Sequence, residues 1–442
     1  MEVTLNQMLL AREERAARQV SLNRQYAKTI ISFSMNIPGP VKDSPLIRRG
    51  FRAGCRELEN RLPRSKVLHL EVKETITGCE AMFVVDMDSL AVKRLTTRIE
   101  DEHGLGRLFD MDVIDPELQK LDREVVGGQS RNCIVCGAAG RGCASRRVHS
   151  VAQLQAATHN ILRMFFAGAD AASIGALAVR SLMDEVSTTP KPGLVDRRNN
   201  GSHRDMNILT FRASADALAG YYRECVRTGM ESAAGKPSET FRKLRIAGLQ
   251  AEQVMYAATG GVNTHKGAIF TLGTLCGAAG RLWNPEGIWE VEKVCREVGE
   301  MTREAMDSDF RKGGNSAGYR LYAESGIRGI RGEAADGLPS VLQIGLPAYR
   351  AFRSSGMDKN ETGVRTLLTL IANVEDTNML SRGGAEGAKA GAEACAALLN
   401  TEFTLSDVEK LDDWFIQRNL SPGGCADLLA AVYFLQGLAG DD

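Results

Sequence analysis

The sequence predicts a multidomain chain, with an N-terminal α/β or α+β domain over residues 1–152 and an all-α domain over residues 153–442. A change of pattern near residue 150 carries that reading. Before it, short β-branched and aromatic runs (KTIISFSMNI, VLHLEV, AMFVVDM, FDMDVI) alternate with helical stretches such as SPLIRRGFRAGCRELENRL. Strands interleaved with helices mark a mixed domain. After it, VAQLQAATHNILRMFFAGA, ASADALAGYYRECV and FRKLRIAGLQAEQVMYAAT space apolar residues three and four apart, the period of an amphipathic helix. β-Branched runs become few, and glycine clusters punctuate the helices.

The 442 residues are 43% hydrophobic and 25% charged, an ordinary globular composition. Lys plus Arg and Asp plus Glu both total 55, so no net positive field exists to hold nucleic acid or an acidic membrane. An anionic substrate must instead be gripped by a few placed cations. The first twenty residues mix acids and bases among leucines, unlike a signal peptide. The run MFFAGADAASIGALAV is interrupted by Asp170 and is expected to be too short to span a bilayer. Ten cysteines in a chain of this length do not resemble a secreted disulfide scaffold, so a reduced, cytoplasmic protein is expected.

Taken in chain order, AREERAARQ reads as a solvated helix face. NIPGPVKDSPLIRRGF places Lys42, Arg48 and Arg49 beside a rigid Pro-Gly-Pro. In HGLGRLFDMDVIDP, Asp110 and Asp112 alternate with apolar residues, so a strand here turns both carboxylates to one face. Such a pair beside Arg107 can hold Mg²⁺ on a triphosphate; the plainer alternative is the exposed edge of an alternating strand. Cys133, Cys136, Cys143 and His149 are spaced C-x2-C-x6-C-x5-H. They offer a tetrahedral set for structural Zn²⁺, against buried or incidental thiols as the alternative.

Four polar, glycine-containing segments interrupt the helical half. STTPKPGLVDRRNNGSHRDM supplies Lys191, Arg197, Arg198 and Arg204 as cations, Asp196 and Asp205 as oxygen ligands for Mg²⁺, and His203 as a base or donor. Gly193 permits close approach to a ligand. ATGGVNTHKGAIFTLG sets Gly260, Gly261, Asn263, Thr264, His265 and Lys266 before an apolar helical run, a recipe for phosphate at a helix N-terminus. The spacing is not that of a Walker A loop, and a helix start capped by Asn263 or Thr264 is the alternative. EDTNMLSRGGAEG and RNLSPGGCADLLA each join polar residues to a Gly-Gly pair. Asp376 and Asp427 are candidate metal or ribose ligands there, and Arg382 a candidate phosphate partner; helix caps are the alternative. GGNSAG carries G-x-S-x-G around Ser316 but follows a charged segment rather than a strand, so it is expected in a loop.

TPKPGLVDRRNNGSHRDM, GGVNTHKG, DTN followed by SRGG, and NLSPGGCADLLA together resemble triphosphoribosyl-dephospho-CoA synthase, in order over roughly residues 155–440. The resemblance implies a helical enzyme in which a ribose hydroxyl of 3′-dephospho-CoA displaces adenine from ATP. His265 or Asp205 is then the base. Lys191, Arg197 and Lys266 hold triphosphate, with Mg²⁺ on Asp196 or Asp376. His203, Gly261, Asn263, Thr264, Arg382, Ser421, Gly423 and Gly424 complete the expected substrate contacts. GLGRLFDMDV, PGPVKDS and the Cys-rich tail resemble the phosphoribosyl-dephospho-CoA transferase of citrate lyase over roughly residues 5–152. That implies a nucleotidyltransferase-like domain in which a serine of the apo acyl carrier protein attacks the first enzyme's product and pyrophosphate leaves. Asp110 and Asp112 become metal ligands, and Arg107 and Lys42 substrate contacts. The competing reading is a module that only binds a CoA-like ligand or the carrier protein.

Overall fold

Alternating strands and amphipathic helices separate along the chain into two units in the computed structural model, Met1–Ala167 and Gly168–Asp442. The structure describes residues 2–138, 143, 146, 148–284, 287–312, 322–323 and 326–440. Ser316 lies outside the described residues.

Unit 1 is built on β1 (Thr29–Met35), β2 (Val67–Thr75), β3 (Gly78–Val85), β4 (Phe109–Ile114) and the short β5 (Lys120–Leu121), in spatial order β2-β3-β1-β4-β5. All neighbouring pairs are antiparallel, which selects α+β from the two expected classes. Period-2 alternation divides the sheet. Ile31, Phe33, Phe83, Phe109, Met111 and Val113 share the buried face. There α2 (Pro45–Arg61) packs Phe51 on Phe33 with ring centroids 5.0 Å apart. The opposite face carries Ser32, Ser34, Glu80, Met82, Asp110 and Asp112.

Helix α1 (Leu5–Tyr26) crosses that polar face, so AREERAARQ is solvated on one side, with Arg12, Glu13 and Glu14 exposed, and bonded to the sheet on the other. Arg15 donates to Glu80 at 2.7 Å, Arg18 pairs with Glu80 and Glu71, and Gln19 donates to Ser32 at 3.0 Å. Leu22 packs with Ile30, Met82 and Val84. Arg15 and Arg18 are paired across to the sheet rather than left to water.

Because β5 pairs only with Val113 and Ile114, the rest of β4 has a free edge. Side chains fill it. The Met111 amide donates to Glu100 of α3 (Ser89–Glu102) at 2.9 Å, and buried Lys93 approaches the Met111 carbonyl at 3.5 Å. Arg131 donates to the Phe109 carbonyl at 2.7 Å and pairs with Glu100.

Every regular element of unit 2 among its described residues is a helix. α4 (Val151–Ser187) enters it and is followed by α5 (Ile208–Ala217), α6 (Ala219–Ser232), α7 (Pro237–Ala258), α8 (Lys266–Arg281) and α9 (Val291–Lys312). Then come α10 (Gly329–Ala335), α11 (Leu346–Ser354), α12 (Lys359–Asn373), α13 (Thr377–Leu399), α14 (Leu405–Gln417) and α15 (Gly423–Ala439). α8 and α15 are apolar on nearly every side and form the centre of the core, as such sequences must.

The apolar run containing Asp170 belongs to the 37-residue α4, which by length and composition could cross a membrane, so the expected shortness was wrong. The helix continues on both sides of that run. A buried core helix passes the same test. Within unit 2, Ala171, Ile174, Ala178, Leu182 and Val186 of α4 are buried, and Asp170 accepts from Trp283 at 2.8 Å.

Candidate functional site

Helices of unit 2 start where polar loops end, and three of those starts meet. The N-termini of α8, α13 and α15 contribute Lys266, Thr377 and Gly423 to the wall of one cavity of about 1220 Å³. Each brings the positive end of a helix dipole, a backbone provision for an anion, although side chains of the loops already take some of the first-turn amides. All four polar segments reach the cavity: Lys191, His203 and Asp205 from the first, Asn263 to Lys266 from the second. Asp376 and Arg382 come from the third, and Ser421, Gly423, Gly424 and Asp427 from the fourth.

His265 stands just before α8 and is 3% exposed. Its Nδ1 lies 2.7 Å from Ser214 Oγ, and Phe211 meets the ring edge-on with centroids 4.9 Å apart. Its Nε2 is buried without a partner, as is the Thr264 hydroxyl beside it. Burial, followed by the charge of Lys191, lowers the His265 pKa to about 3, so the ring is neutral. An orphaned imidazole nitrogen on a cavity wall is a group waiting for a ligand proton or acceptor.

Lys191 is 1% exposed; its ammonium pairs with Glu185 and donates to the Glu185 carbonyl at 2.9 Å. Asp376 caps α13, accepting from the amides of Asn378 at 2.8 Å and Met379 at 3.1 Å, while its other oxygen takes the Cys425 amide of α15 at 2.8 Å. One carboxylate thus ties two helix starts together. Gly424 permits this, since a Cβ there would lie 2.9 Å from Asp376 Oδ2. Asp427 has no hydrogen-bond partner among the described residues and packs against Gly267, where a Cβ would meet its Oδ2 at 1.9 Å. Burial, then the charges of Glu185 and Asp376, push its pKa well up. Glu185 and Asp376 are raised by burial too, against the pull of Lys191 and of backbone amides respectively. Asp427 thus feels the charges of Glu185 and Asp376, of which only Glu185 is paired with Lys191, and such a carboxylate cluster favours a cation.

His203, Arg382 and Ser421 form a chain. The Arg382 guanidinium donates to Nδ1 at 3.2 Å, and Nε2 lies 2.9 Å from Ser421 Oγ. Burial, then Arg382, lowers the His203 pKa. Arg382 also holds the Ser202 carbonyl at 2.9 Å. Asp205 is exposed at the cavity, and Lys266 pairs with Glu252 at 2.8 Å.

Other residues of the same segments stand elsewhere. Asp196 accepts from the backbone amides of Lys191, Arg198 and Asn199 and is absent from the cavity wall; it shapes the loop. Arg197 bonds Thr189 and Asn360 outside the cavity, and Arg198 bridges Asp412 and Asp413. Gly193 sits at φ +70°, and a Cβ there would lie 2.2 Å from the Leu420 carbonyl oxygen, so its freedom serves loop packing. Gly261 closes α7, its amide donating to the Tyr256 carbonyl at 2.8 Å, and Asn263 Oδ1 takes the Lys266 amide at 3.3 Å. Sequence reading overlooked Glu185 and Ser214. Glu185 lies two residues before the polar loop and looks like helix surface; Ser214 hides in an alanine-rich helix.

In unit 1, Asp110 and Asp112 lie on β4 opposite Ser34 and Ser32, on one face. Asp112 pairs with Lys120 at 2.7 Å. Desolvation by the surrounding chain and then the neighbouring Asp112 raise the pKa of Asp110. Arg107 donates to the Asn132 carbonyl; burial, then Arg131 and Arg123, lower its pKa. Arg131 senses both Arg107 and Asp110, and nothing in its glycine-rich surroundings marked it beforehand. Lys42 donates to the Ile37 carbonyl and has no hydrogen bond or ion pair to Asp110, Asp112 or Arg107 among the described residues. The ligand atoms of Cys133, Cys136, Cys143 and His149 all lie within 4.8 Å of one another.

Two family models divide the chain in the same order. Residues 3–165 match apo-citrate lyase phosphoribosyl-dephospho-CoA transferase, CitX. Residues 171–442 match ATP:dephospho-CoA triphosphoribosyl transferase, CitG. Protein CitXG of Haemophilus influenzae is 33% identical over 461 residues, covering 100% of this chain and 97% of its own. Protein CitXG of Leuconostoc mesenteroides subsp. cremoris is 33% identical over 464 residues, covering 99% and 98%. A Vibrio cholerae protein named probable 2-(5''-triphosphoribosyl)-3'-dephosphocoenzyme-A synthase is 43% identical over 275 residues, covering 59% of this chain and 87% of its own. With both models matched in tandem and relatives aligned from end to end, the chain belongs to the CitXG family, in which a CitX and a CitG domain share one polypeptide.

Proposed function

We propose that the chain is a bifunctional transferase that builds the prosthetic group of citrate lyase and then attaches it. The convergence of four polar loops and three helix starts on one cavity carries the reading for unit 2. ATP enters with its triphosphate toward the starts of α8, α13 and α15 and toward Lys191 and Lys266. The 2′-hydroxyl oxygen of 3′-dephospho-CoA bonds to C1′ of the ATP ribose. The C1′–N9 bond breaks, and adenine leaves with the electron pair. The ribose carries oxocarbenium character as this happens, and the carboxylates of Glu185, Asp376 and Asp427 stabilise it. We assign the hydroxyl's proton to His265 Nε2, which is unpartnered on the cavity wall, rather than to Asp205, which is exposed to competing water. Asp376 and Asp427 would hold Mg²⁺, which when bound supplies charge neutralisation for the triphosphate. Asp196 and Arg197 keep the loop in shape.

In unit 1 a serine hydroxyl of the apo acyl carrier protein attacks the α-phosphorus of the triphosphoribosyl product. A phosphodiester forms and pyrophosphate leaves, which makes the unit nucleotidyltransferase-like in its chemistry. Asp110 and Asp112 offer oxygen ligands on one face for Mg²⁺, with the charge of Arg131 acting on Asp110 and Arg107 held at the Asn132 carbonyl for phosphate charge. Lys42 contributes substrate charge from the loop before α2. The work is that of a cytoplasmic enzyme and needs neither nucleic acid nor membrane. Simple ligand binding would not require an unpartnered histidine nitrogen beside three crowded carboxylates. Incubation with ATP and 3′-dephospho-CoA should release free adenine, and apo carrier protein added afterwards should gain mass with release of pyrophosphate. No adenine would overturn the reading of unit 2; adenine without carrier loading would overturn that of unit 1.

A further inference from the structure

The described residues between 127 and 150 contribute no side chain to an apolar core. Among the described residues no hydrophobic side chain between Ile114 and Leu162 is buried, and Val148 is 57% exposed. Yet the start of this segment is held in a defined place. Arg131 reaches the Phe109 carbonyl and Glu100, and the Asn132 carbonyl takes the Arg107 guanidinium. These contacts flank Asp110. Something other than hydrophobic burial must fix the residues that follow.

The four ligand atoms of Cys133, Cys136, Cys143 and His149 form one cluster. Cys136 Sγ lies 3.6 Å from Cys143 Sγ and 3.3 Å from His149 Nε2. Tetrahedral Zn²⁺ with Zn–S near 2.3 Å and Zn–N near 2.0 Å places its ligand atoms about 3.5–3.8 Å apart. The cysteines are free thiols, and 3.6 Å is far beyond a disulfide bond. The local backbone is also that of a ligand-bearing turn. The Val135 amide points at Cys133 Sγ at 3.5 Å, the Gly137 amide returns to the Cys133 carbonyl at 3.0 Å, and Gly137 has φ +71°. An amide donated to a ligating sulfur is the outer-shell support such sites use.

We propose that Cys133, Cys136, Cys143 and His149 bind one structural zinc ion, and that this ion acts as a staple positioning Arg131 at the start of β4, which carries Asp110 and Asp112, and Arg107 through the Asn132 carbonyl. The second half rests on the reading of unit 1 as the carrier-loading transferase. The ion touches no substrate. Closed by four protein ligands, it has no open position for chemistry. It fixes this segment in place of an apolar core and so sets where Arg131 and Asn132 leave it.

The full chain, purified without chelator, should carry about one zinc per chain by mass spectrometry of the metal, as a closed four-ligand site requires. A C133S/C136S double variant should lose it. Cobalt(II) exchanged into the wild-type chain should give the thiolate-to-cobalt charge-transfer band of a sulfur-rich tetrahedral site. Stripping the metal should cut the kcat/KM of carrier loading by about a hundredfold, the scale of a misplaced positioning group. The loss should fall mainly on KM for the triphosphoribosyl substrate and return with added zinc, while adenine release is unchanged. Metal-free protein that shows no cobalt band would overturn the site. A stripped chain loading carrier at the metal-loaded rate would overturn the positioning role. If neither form loads carrier, the reading of unit 1 fails, and zinc content with the cobalt spectrum still decides the site.

Discussion

The two units meet the same problem, a polyphosphate chain, with opposite materials. Unit 2 encloses its charges. Lys191, Glu185, Asp376 and His265 are nearly out of water, and helix ends supply much of the positive potential. Unit 1 spreads its charges on the polar face and edge of a small sheet, with Asp110 at the surface though partly desolvated by the surrounding chain, and Asp112 paired to Lys120. Burial makes each charge of unit 2 dependent on its neighbours. Exposure lets those of unit 1 change singly.

That contrast is sharpest for ion pairs. Lys191→Met leaves Glu185 buried without its cation and should destabilise unit 2 by about 3–5 kcal/mol in denaturant titration. Lys120→Met, which breaks the exposed pair with Asp112, should cost less than about 1 kcal/mol. Equal costs would remove the distinction. For chemistry, His265→Gln should lower kcat for adenine release by about a hundred- to a thousandfold with carrier loading of supplied precursor intact. Asp110→Asn should do the reverse, cutting carrier loading by about a hundredfold while adenine release stays at the wild-type rate.

Acid should separate the units more gently. His265 has a folded pKa of about 3, below its unfolded value near 6.5. The unfolded chain therefore binds a proton first as pH falls. The stability is fully present above about pH 6.5 and is lost toward pH 3, by about 1.4 kcal/mol per pH unit. Denaturant midpoints of unit 2 across that window should fall less steeply in His265→Gln. An unchanged slope would mean that the imidazole is not buried neutral. The smallest effect belongs to Arg197→Ala: with its guanidinium on Thr189 and Asn360, adenine release should stay within about twofold of wild type.

Much of this was legible in the sequence, for physical reasons. The helical period announced unit 2, and period-2 runs announced the sheet whose register puts Asp110 and Asp112 on one face. The four polar segments of unit 2 stood out because glycine and charge together are costly inside a helical domain without a use. Individual roles were harder. Asp196 and Asp376 look alike in sequence, yet one knits its own loop and the other joins two helix starts at the cavity. Arg197 and Lys191 are both cations of one loop, and only tertiary packing turns Lys191 inward. Glu185 and Ser214 gave no signal because helix periodicity reports which face is apolar, not what a polar residue meets. α1 was legible only on its outer side: Arg12 is exposed as a solvated face should be, while Arg15 and Arg18 pair with carboxylates more than fifty residues away.

The central claim is that two separable sites act in sequence, one releasing adenine and the other consuming its product. Mixing two inactive chains tests it most directly. Neither His265→Gln nor Asp110→Asn alone should load apo carrier protein from ATP and 3′-dephospho-CoA. Together they should, because the Asp110→Asn chain makes the precursor and the His265→Gln chain transfers it, with adenine and pyrophosphate released in equal amounts. Loading by either variant alone, or none in the mixture although adenine appears and both chains are folded, would contradict the account.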